Sequence, residues 1–452
     1  MHDSGTRPRN AHDRGAATHL GPFRAGAPAV PRPQPRAWWR PLLVTLVSLL
    51  PVAACEPIGE TVTSTPPSST DERIDPLPGY PLPPAVVDAF HAWTCLAGDD
   101  LDAPPATLHV ATHGADDQDG RTPERALVTL QAAVDRSQPG EVIWLHEGVY
   151  ERTTTMRRSG SESEPILVTA APGACVTLQG DRHDAPDGAP RDAVLTLDGV
   201  RHVTVQNLTV RFSRSEGILI LDGHDVTLDR LDLHDNTLSG LTTIGGSNNH
   251  YRRILAHHNN DDAGGGDSDG ISISSGTGHH VEHVAAFANS DDGVDTWLSV
   301  GTTLDHVLAF DNGRDEGDGN GIKAGGQYEQ VDTLVQRSIA FGNRTYGFTD
   351  NTGRGVTFRS NTAYGNGKDG FAILTSALTG NLSFGNEGGA VWWGGTPTQN
   401  EGNGWNLALD VSVLRSVDPI DPAFLMLRDD AALPPVGALH DGNNLATWLV
   451  SE

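Results

Sequence analysis

The stretch "AFANSDDGVD", residues 286–295, holds two short phrases that return along the chain. The first, an aromatic residue followed two positions later by Asn, recurs as "AFDN" (309–312), "AFGN" (340–343), "AYGN" (363–366) and "SFGN" (383–386). The second, a Gly followed by an apolar residue, recurs as "SEGIL" (215–219), "LSGLT" (238–242), "SDGIS" (268–272), "GNGIK" (319–323), "TYGFT" (345–349) and "KDGFA" (368–372). Counted through Gly293, the steps between these glycines are 23, 30, 23, 28, 26 and 23 residues. Short β-like runs in a unit of about 23 residues, with loop insertions and no sustained helical period, fit the coils of a parallel β-helix better than a helical array.

Laid over one another, the coils give columns. The residue after the glycine is Ile218, Leu241, Ile271, Val294, Ile322, Phe348 or Phe371, always apolar and therefore inward. The next is Leu219, Thr242, Ser272, Asp295, Lys323, Thr349 or Ala372, mostly polar and outward by strand alternation. Phe287, Phe310, Phe341, Tyr364 and Phe384 form a second stack, and their Asn neighbours are expected in turns, building the solenoid and nothing more.

The same columns gather charge. Asp269 and Asp292 precede the glycine in successive coils and should lie about one strand spacing, ~4.8 Å, apart. Asp291 adjoins Asp292, Asp295 faces outward, and Lys323 occupies the outward column one coil later. Carboxylates this close repel, so the run is either a solvated acidic loop or a cation site. A solvated run would scatter along a loop, whereas this one converges across coils. Dense oxygen ligands suit Ca²⁺, with Mg²⁺ or a purely structural Ca²⁺ as alternatives. The 31 basic residues include only two lysines, Lys323 and Lys368. Lys323 stands in the acidic column, where the plain reading is an ion pair with Asp295. Lys368 falls at a turn, where Lys368→Arg is expected to be nearly silent.

The chain has 452 residues and a formal charge of −27. That charge argues against nucleic acid, and against a membrane held by bulk electrostatics. An acidic polysaccharide would need a bridging cation. Residues 1–54 read as a signal segment: an Arg-rich start, then the apolar run "PLLVTLVSLLPVAA" (41–54), too short to span a bilayer. "VAAC" resembles a lipobox, which would make Cys55 a lipid anchor at the cell surface or outer membrane and the only membrane contact of a secreted protein. Residues 55–104 read as a disordered Pro/Ser/Thr-rich linker, 105–404 as the β-helix, and 405–452 as a C-terminal extension packed on it. Cys95 and Cys175 remain for a possible disulfide. A monomer is expected.

"SDGIS", "NSDDGVDTW" (289–297), "GDGNGIKAGG" (317–326) and "YGFTDNTG" (346–353) resemble the pectate lyases of polysaccharide lyase family 9. "LHVATHGADDQDGRTPERALVTLQAAVDRSQPGEVIWLHEGVYER" (108–152) is similar to the N-terminal cap of many β-helices. The resemblance covers about residues 107–390. It implies an all-β, right-handed parallel β-helix in which Asp269, Asp291, Asp292 and Asp295 bind Ca²⁺. It also implies that Lys323 is the Brønsted base of a β-elimination on pectate or polygalacturonate. Such a base must lose its proton readily, so a bound cation has to outweigh the nearby carboxylates that favour the ammonium; Arg stays protonated and could not substitute. "SISSG" (272–276) and Ala324 depart from the family pattern and leave the polymer and linkage open.

Other features carry less. His257–His258 and His279–His280 are expected to cap turns. Arg314, Asp315, Glu316 and Asp318 form an insertion that either overhangs a cleft or is plain solvated charge. Trp392 and Trp393 either stack on sugars or, preferably, close the end of the solenoid. Trp297 allows a sugar platform. Against the lyase stands a non-catalytic surface β-helix, an adhesin or glycan binder with a structural Ca²⁺, which has no need of a rare lysine among carboxylates. A glycoside hydrolase would use two carboxylates and no lysine base.

Overall fold

The structure, a computed structural model, describes residues 83–93, 104–182, 192–261, 265–314, 317–429 and 433–450. The chain divides into Met1–Asp71 and Glu72–Glu452, and every described residue belongs to the second unit. The signal segment, Cys55, Cys95, Asp315 and Glu316 lie outside the described residues. Cys175 is disulfide-bonded.

Among the described residues, two sheets of ten and seventeen strands run the length of the domain. All pairings between their strands are parallel, each strand bonding its counterpart in the next coil, as a β-helix requires. In the ten-stranded sheet the register runs Leu241↔Ile271↔Val294↔Ile322↔Phe348↔Phe371, the inward column read from the sequence. All six side chains are fully buried in one continuous core, where each contributes about 1.5–3 kcal/mol by leaving water. The glycine before each of these residues has a steric cause. A Cβ on Gly270, Gly293 or Gly321 would come within 2.6 Å of the next coil's glycine carbonyl. Only a residue without a side chain lets the coils stack this closely.

The turn asparagines do more than tolerate a turn geometry. Asn236, Asn259, Asn289, Asn312, Asn343, Asn366 and Asn386 form a ladder in which each Nδ2 donates to the next residue's Oδ1 at 2.8–3.0 Å. The six from Asn236 to Asn366 are almost fully buried. A second ladder joins Asn361, Asn381 and Asn403. An amide carries a donor and an acceptor, so identical residues can satisfy one another from coil to coil.

The aromatic stack lies outside the solenoid. Ala286 points into the continuous core, while Phe287 belongs to a second cluster. Phe287, Phe310 and Phe341 stack at 4.8 and 4.9 Å. They are covered by Phe424, Leu425, Leu439 and Trp448 of the C-terminal segment, which ends in helix α3 (Leu445–Val450). The same cluster takes in Ala85, Val86 and Ala89 of helix α1 (Pro84–Trp93). The stretch expected as disordered linker is therefore corrected over these ten residues, because their apolar face has a surface to bury against. At the N-terminal end, helix α2 (Leu130–Arg136) inserts Leu130, Ala133 and Val134 into the core; the Thr129 hydroxyl caps it by accepting from the Ala132 N–H.

Two histidine expectations change. His257 and His280 belong to strands rather than turns. His257 extends the outer aromatic column, 5.0 Å from His234 and 4.8 Å from Phe287. Trp392 and Trp393 are 51% and 40% exposed on the last strand of the ten-stranded sheet, where Trp393 pairs with the buried Ile373 at the end of the solenoid. Trp392 pairs with Ala372 and so continues the outward column that contains Lys323.

Candidate active site

Asp295 and Lys323 are register partners on adjacent strands, Val294–Thr296 and Ile322–Ala324. Their side chains leave the same face. The Lys323 Nζ lies 2.9 Å from Asp292 Oδ2, 3.0 Å from Asp295 Oδ2 and 3.6 Å from Asp318 Oδ2. One turn supplies the rest. Asp269 Oδ1 accepts from the Asp292 N–H at 3.1 Å, and Asp292 Oδ1 accepts from the Asn320 N–H at 2.6 Å and its Nδ2 at 2.8 Å. The residues preceding the glycines are thus bonded coil to coil, which holds the acidic column rigid.

The residues fit a divalent cation. Carboxylate oxygens of Asp269, Asp291 and Asp292 lie within 4.8 Å of one another. Asp295 stands outside that triplet, but its buried Oδ1 has no hydrogen-bond partner among the described residues. Such an acceptor is costly to bury unless something positive meets it. Asp269, Asp291, Asp292 and Asp295 are all buried. Burial, with Asp295, Asp292 and Asp291 around it, raises the Asp269 carboxyl well above the usual range. Burial and then the Asp292 charge push Asp291 up to about 7. Burial also lifts Asp295 to about 7 against the pull of Lys323, and raises Asp292. A set of carboxylates reluctant to ionise together is a set that a cation would stabilise.

Lys323 sits in the opposite balance. Burial alone would lower it, but Asp292, Asp295 and Asp269 outweigh burial and hold the ammonium above the ordinary lysine range. In the protein by itself these carboxylates keep the amine protonated.

Lys323 opens onto a cavity of about 440 Å³ lined also by Asp318, Asn320, Arg344, Tyr346 and Lys368. The described part of the 314–318 insertion therefore does border the cleft at Asp318, whose N–H donates to Asp291 Oδ1 at 2.6 Å. Arg314 lines a separate cavity of about 310 Å³ and pairs with Asp311. Sequence reasoning missed Asn320, although it follows Asp269 and Asp292 in the column before the glycine. It also did not bring Lys368, at its turn, to this cavity. Trp297 is half-buried, its ring against Gly326, where an added Cβ would approach to 3.0 Å.

The family described as "Pel9A-like, right handed beta helix region" matches residues 108–387. The chain is 28% identical over 402 residues to pectate lyase PEL9 of Emericella nidulans, covering 74% of this chain and 95% of that protein. It is 30% identical over 284 residues to pectate lyase L of Dickeya chrysanthemi, covering 57% and 65%. The solved structure of pectate lyase Pel9A superposes with a TM-score of 0.60 at 25% identity, over 73% of this chain and 91% of that one. With its coils in parallel register and the family model matched over more than half of its length, the chain belongs to the Pel9A-like right-handed β-helix family of polysaccharide lyases.

Proposed function

We propose that this protein is a calcium-dependent lyase that cleaves a uronate-containing polymer, pectate or polygalacturonate first among them, by β-elimination with Lys323 as base. The observation that carries the reading is the Lys323 amine, 2.9 and 3.0 Å from Asp292 and Asp295, at the mouth of the only cavity its lysine-poor chain devotes to both lysines, among the cavities described. Asp269, Asp291, Asp292 and Asp295 would hold the Ca²⁺. When bound, that ion would neutralise the substrate carboxylate and offset the negative charge that grows beside C5. Lys323 takes the proton from C5 of the uronate. The electron pair left behind forms the C4–C5 double bond as the C4–O bond breaks, and the departing oxygen takes a proton. For this the amine must be neutral, and carboxylates committed to a cation hold its proton less firmly. The stacked coils hold Lys323 and the four aspartates on one rigid face, so that, in these roles, little ordering would be left for the moment of reaction.

A glycan-binding protein with a structural cation would use the same ion pairs without turnover. The test is to incubate the mature protein with a panel of uronate polymers and Ca²⁺, and to follow the ultraviolet absorbance of the unsaturated product. Activity should vanish with chelator and fall by at least about a hundred-fold in Lys323→Arg, which keeps the charge but cannot supply a neutral amine. Retained activity in that variant would assign the base to another group. We also place the mature protein at the cell surface, anchored through Cys55, on the strength of the apolar run and the "VAAC" that precede the linker. Cys55→Ser should release it from membranes; an unmodified N-terminus well downstream would overturn this.

A further inference from the structure

Lys368 shares the cavity of Lys323, and the two are the only lysines in the chain. Its Nζ stands 5.0 Å from the centroid of the Tyr346 ring, and among the described residues it makes no ion pair. That sets it apart from Arg125, Arg157, Arg253 and Arg337, each paired with an aspartate. Arg344 reaches the cavity from the preceding coil, steadied by its Nη1 donating to the Gly317 carbonyl at 3.1 Å. Both cations occupy the turn that follows a ladder asparagine, Arg344 after Asn343 and Lys368 two residues after Asn366. In the coil of Asn289 the same turn carries Asp291 and Asp292. Along the axis the turn therefore changes sign, from a carboxylate cluster to a cationic pair a few rungs of about 4.8 Å away.

We infer that Lys368, supported by Arg344 and the Tyr346 ring, binds the carboxylate of a sugar neighbouring the one that is cleaved. The inference rests on the proposed function. A uronate polymer carries one carboxylate per residue, so a chain seated with one sugar at Lys323 presents another anion farther along the cleft. In a protein of formal charge −27, a positive rim inside the cavity is what allows such a polyanion to settle there without a cation at every sugar. The Tyr346 ring attracts the Lys368 ammonium and steadies it in the lining of the cavity. The site would read ionisation at that position: a free carboxylate fits it, and a methyl ester does not.

The test compares the full-length protein with Lys368→Met and Lys368→Arg, in saturating Ca²⁺, on polygalacturonate and on a half methyl-esterified form that still carries free carboxylates for the reacting sugar. On the free acid, Lys368→Met should raise KM about ten-fold with kcat within about two-fold, the size expected of one partly exposed charge-assisted contact. Lys368→Arg should restore KM, and on the half-esterified polymer the gap between parent and Lys368→Met should narrow. An unchanged KM on the free acid, or an equal loss on both polymers, would overturn the inference. Should the parent cleave neither polymer, the proposed function fails; the inference is then judged by titrating oligogalacturonate into parent and Lys368→Met, with weaker binding in the variant supporting it and equal binding refuting it.

Discussion

Asn312→Ala should cost the folded state about 4 kcal/mol. The Asn312 side chain makes four bonds: Nδ2 donates to Asn343 Oδ1 at 2.9 Å and to the Ala286 carbonyl at 3.1 Å, and Oδ1 accepts from the Asn289 N–H at 3.2 Å and Asn289 Nδ2 at 3.0 Å. Truncation strips two buried donors on Asn289 of their acceptor. The second hydrogen of the Asn289 amide keeps its bond to the Ala256 carbonyl, and Asn343 Oδ1 keeps the Asn312 N–H, so these are not counted. At roughly 1–3 kcal/mol for each orphaned buried group, two give about 2–6 kcal/mol, with 4 as the centre. Asn312→Asp should be at least as harmful near neutral pH, since an acceptor would then face Asn343 Oδ1 and the Ala286 carbonyl. Protonation would restore a donor, so the aspartate variant should recover part of the loss in acid. Equilibrium urea unfolding followed by circular dichroism, in saturating Ca²⁺, measures both. A loss under about 1 kcal/mol for Asn312→Ala, at unchanged denaturant slope, would refute the view that the ladder is what holds the turns.

Other expectations concern the site. Asp292→Asn removes the carboxylate central to the column and should weaken Ca²⁺ binding at least ten-fold by calorimetric titration; unchanged affinity would place the ion elsewhere. In chelator, stability should fall as pH rises from about 4 to about 7. Asp291 and Asp295 are raised from 3.8 to about 7, so the folded chain holds protons there that the unfolded chain has released. The loss should be on the order of 4 kcal/mol for each of the two carboxyls. Lys323, raised above its usual value, adds stability that is lost only above about 10.5 and leaves this window untouched. Excess Ca²⁺ should flatten the slope, and a chelated protein that gains stability over the same range would contradict the assignment. Trp392→Ala should raise KM on long polymer several-fold and leave short oligomers unaffected, since Trp392 is exposed in the Lys323 column; equal effects on both lengths would refute a stacking role.

The solenoid and the acidic column were legible because one geometric rule, a position where the next coil's carbonyl admits only glycine, marks the same point of successive coils. Once Gly270, Gly293 and Gly321 are aligned, Asp269, Asp292, Asp295 and Lys323 follow by counting. The count loses force at the turns, where insertions reset the phase. That is why Phe287 and Phe310 could be seen to stack without revealing that they stack outside the barrel, under the C-terminal segment. Helix α1 was hidden by composition: "PAVVDAFHAW" shows an apolar face at Ala85, Val86 and Ala89, but its surroundings are rich in Pro and Ser. The cavity beside Lys368 was not legible either, because turn position says where a residue sits and nothing about which cleft lies above it. The direction of the Lys323 shift also required the structure, since burial and three carboxylates act against each other.

The parallel register has a consequence for how such a protein can change. Asp269, Asp292, Asp295 and Lys323 fall within three consecutive coils, while the outward column of Asp295 and Lys323 runs on through Thr349 and Ala372 to Trp392, and the face it forms can serve as a groove longer than the catalytic centre. A whole coil duplicated before Leu241 or after Phe371 would lengthen the groove by about 4.8 Å and leave every distance around Lys323 intact. A single residue inserted between Asp295 and Lys323 within the strands would instead turn the amine into the core. The length of polymer the cleft can grip and the chemistry at its centre are thus free to evolve separately, the first by counting coils and the second only by substitution.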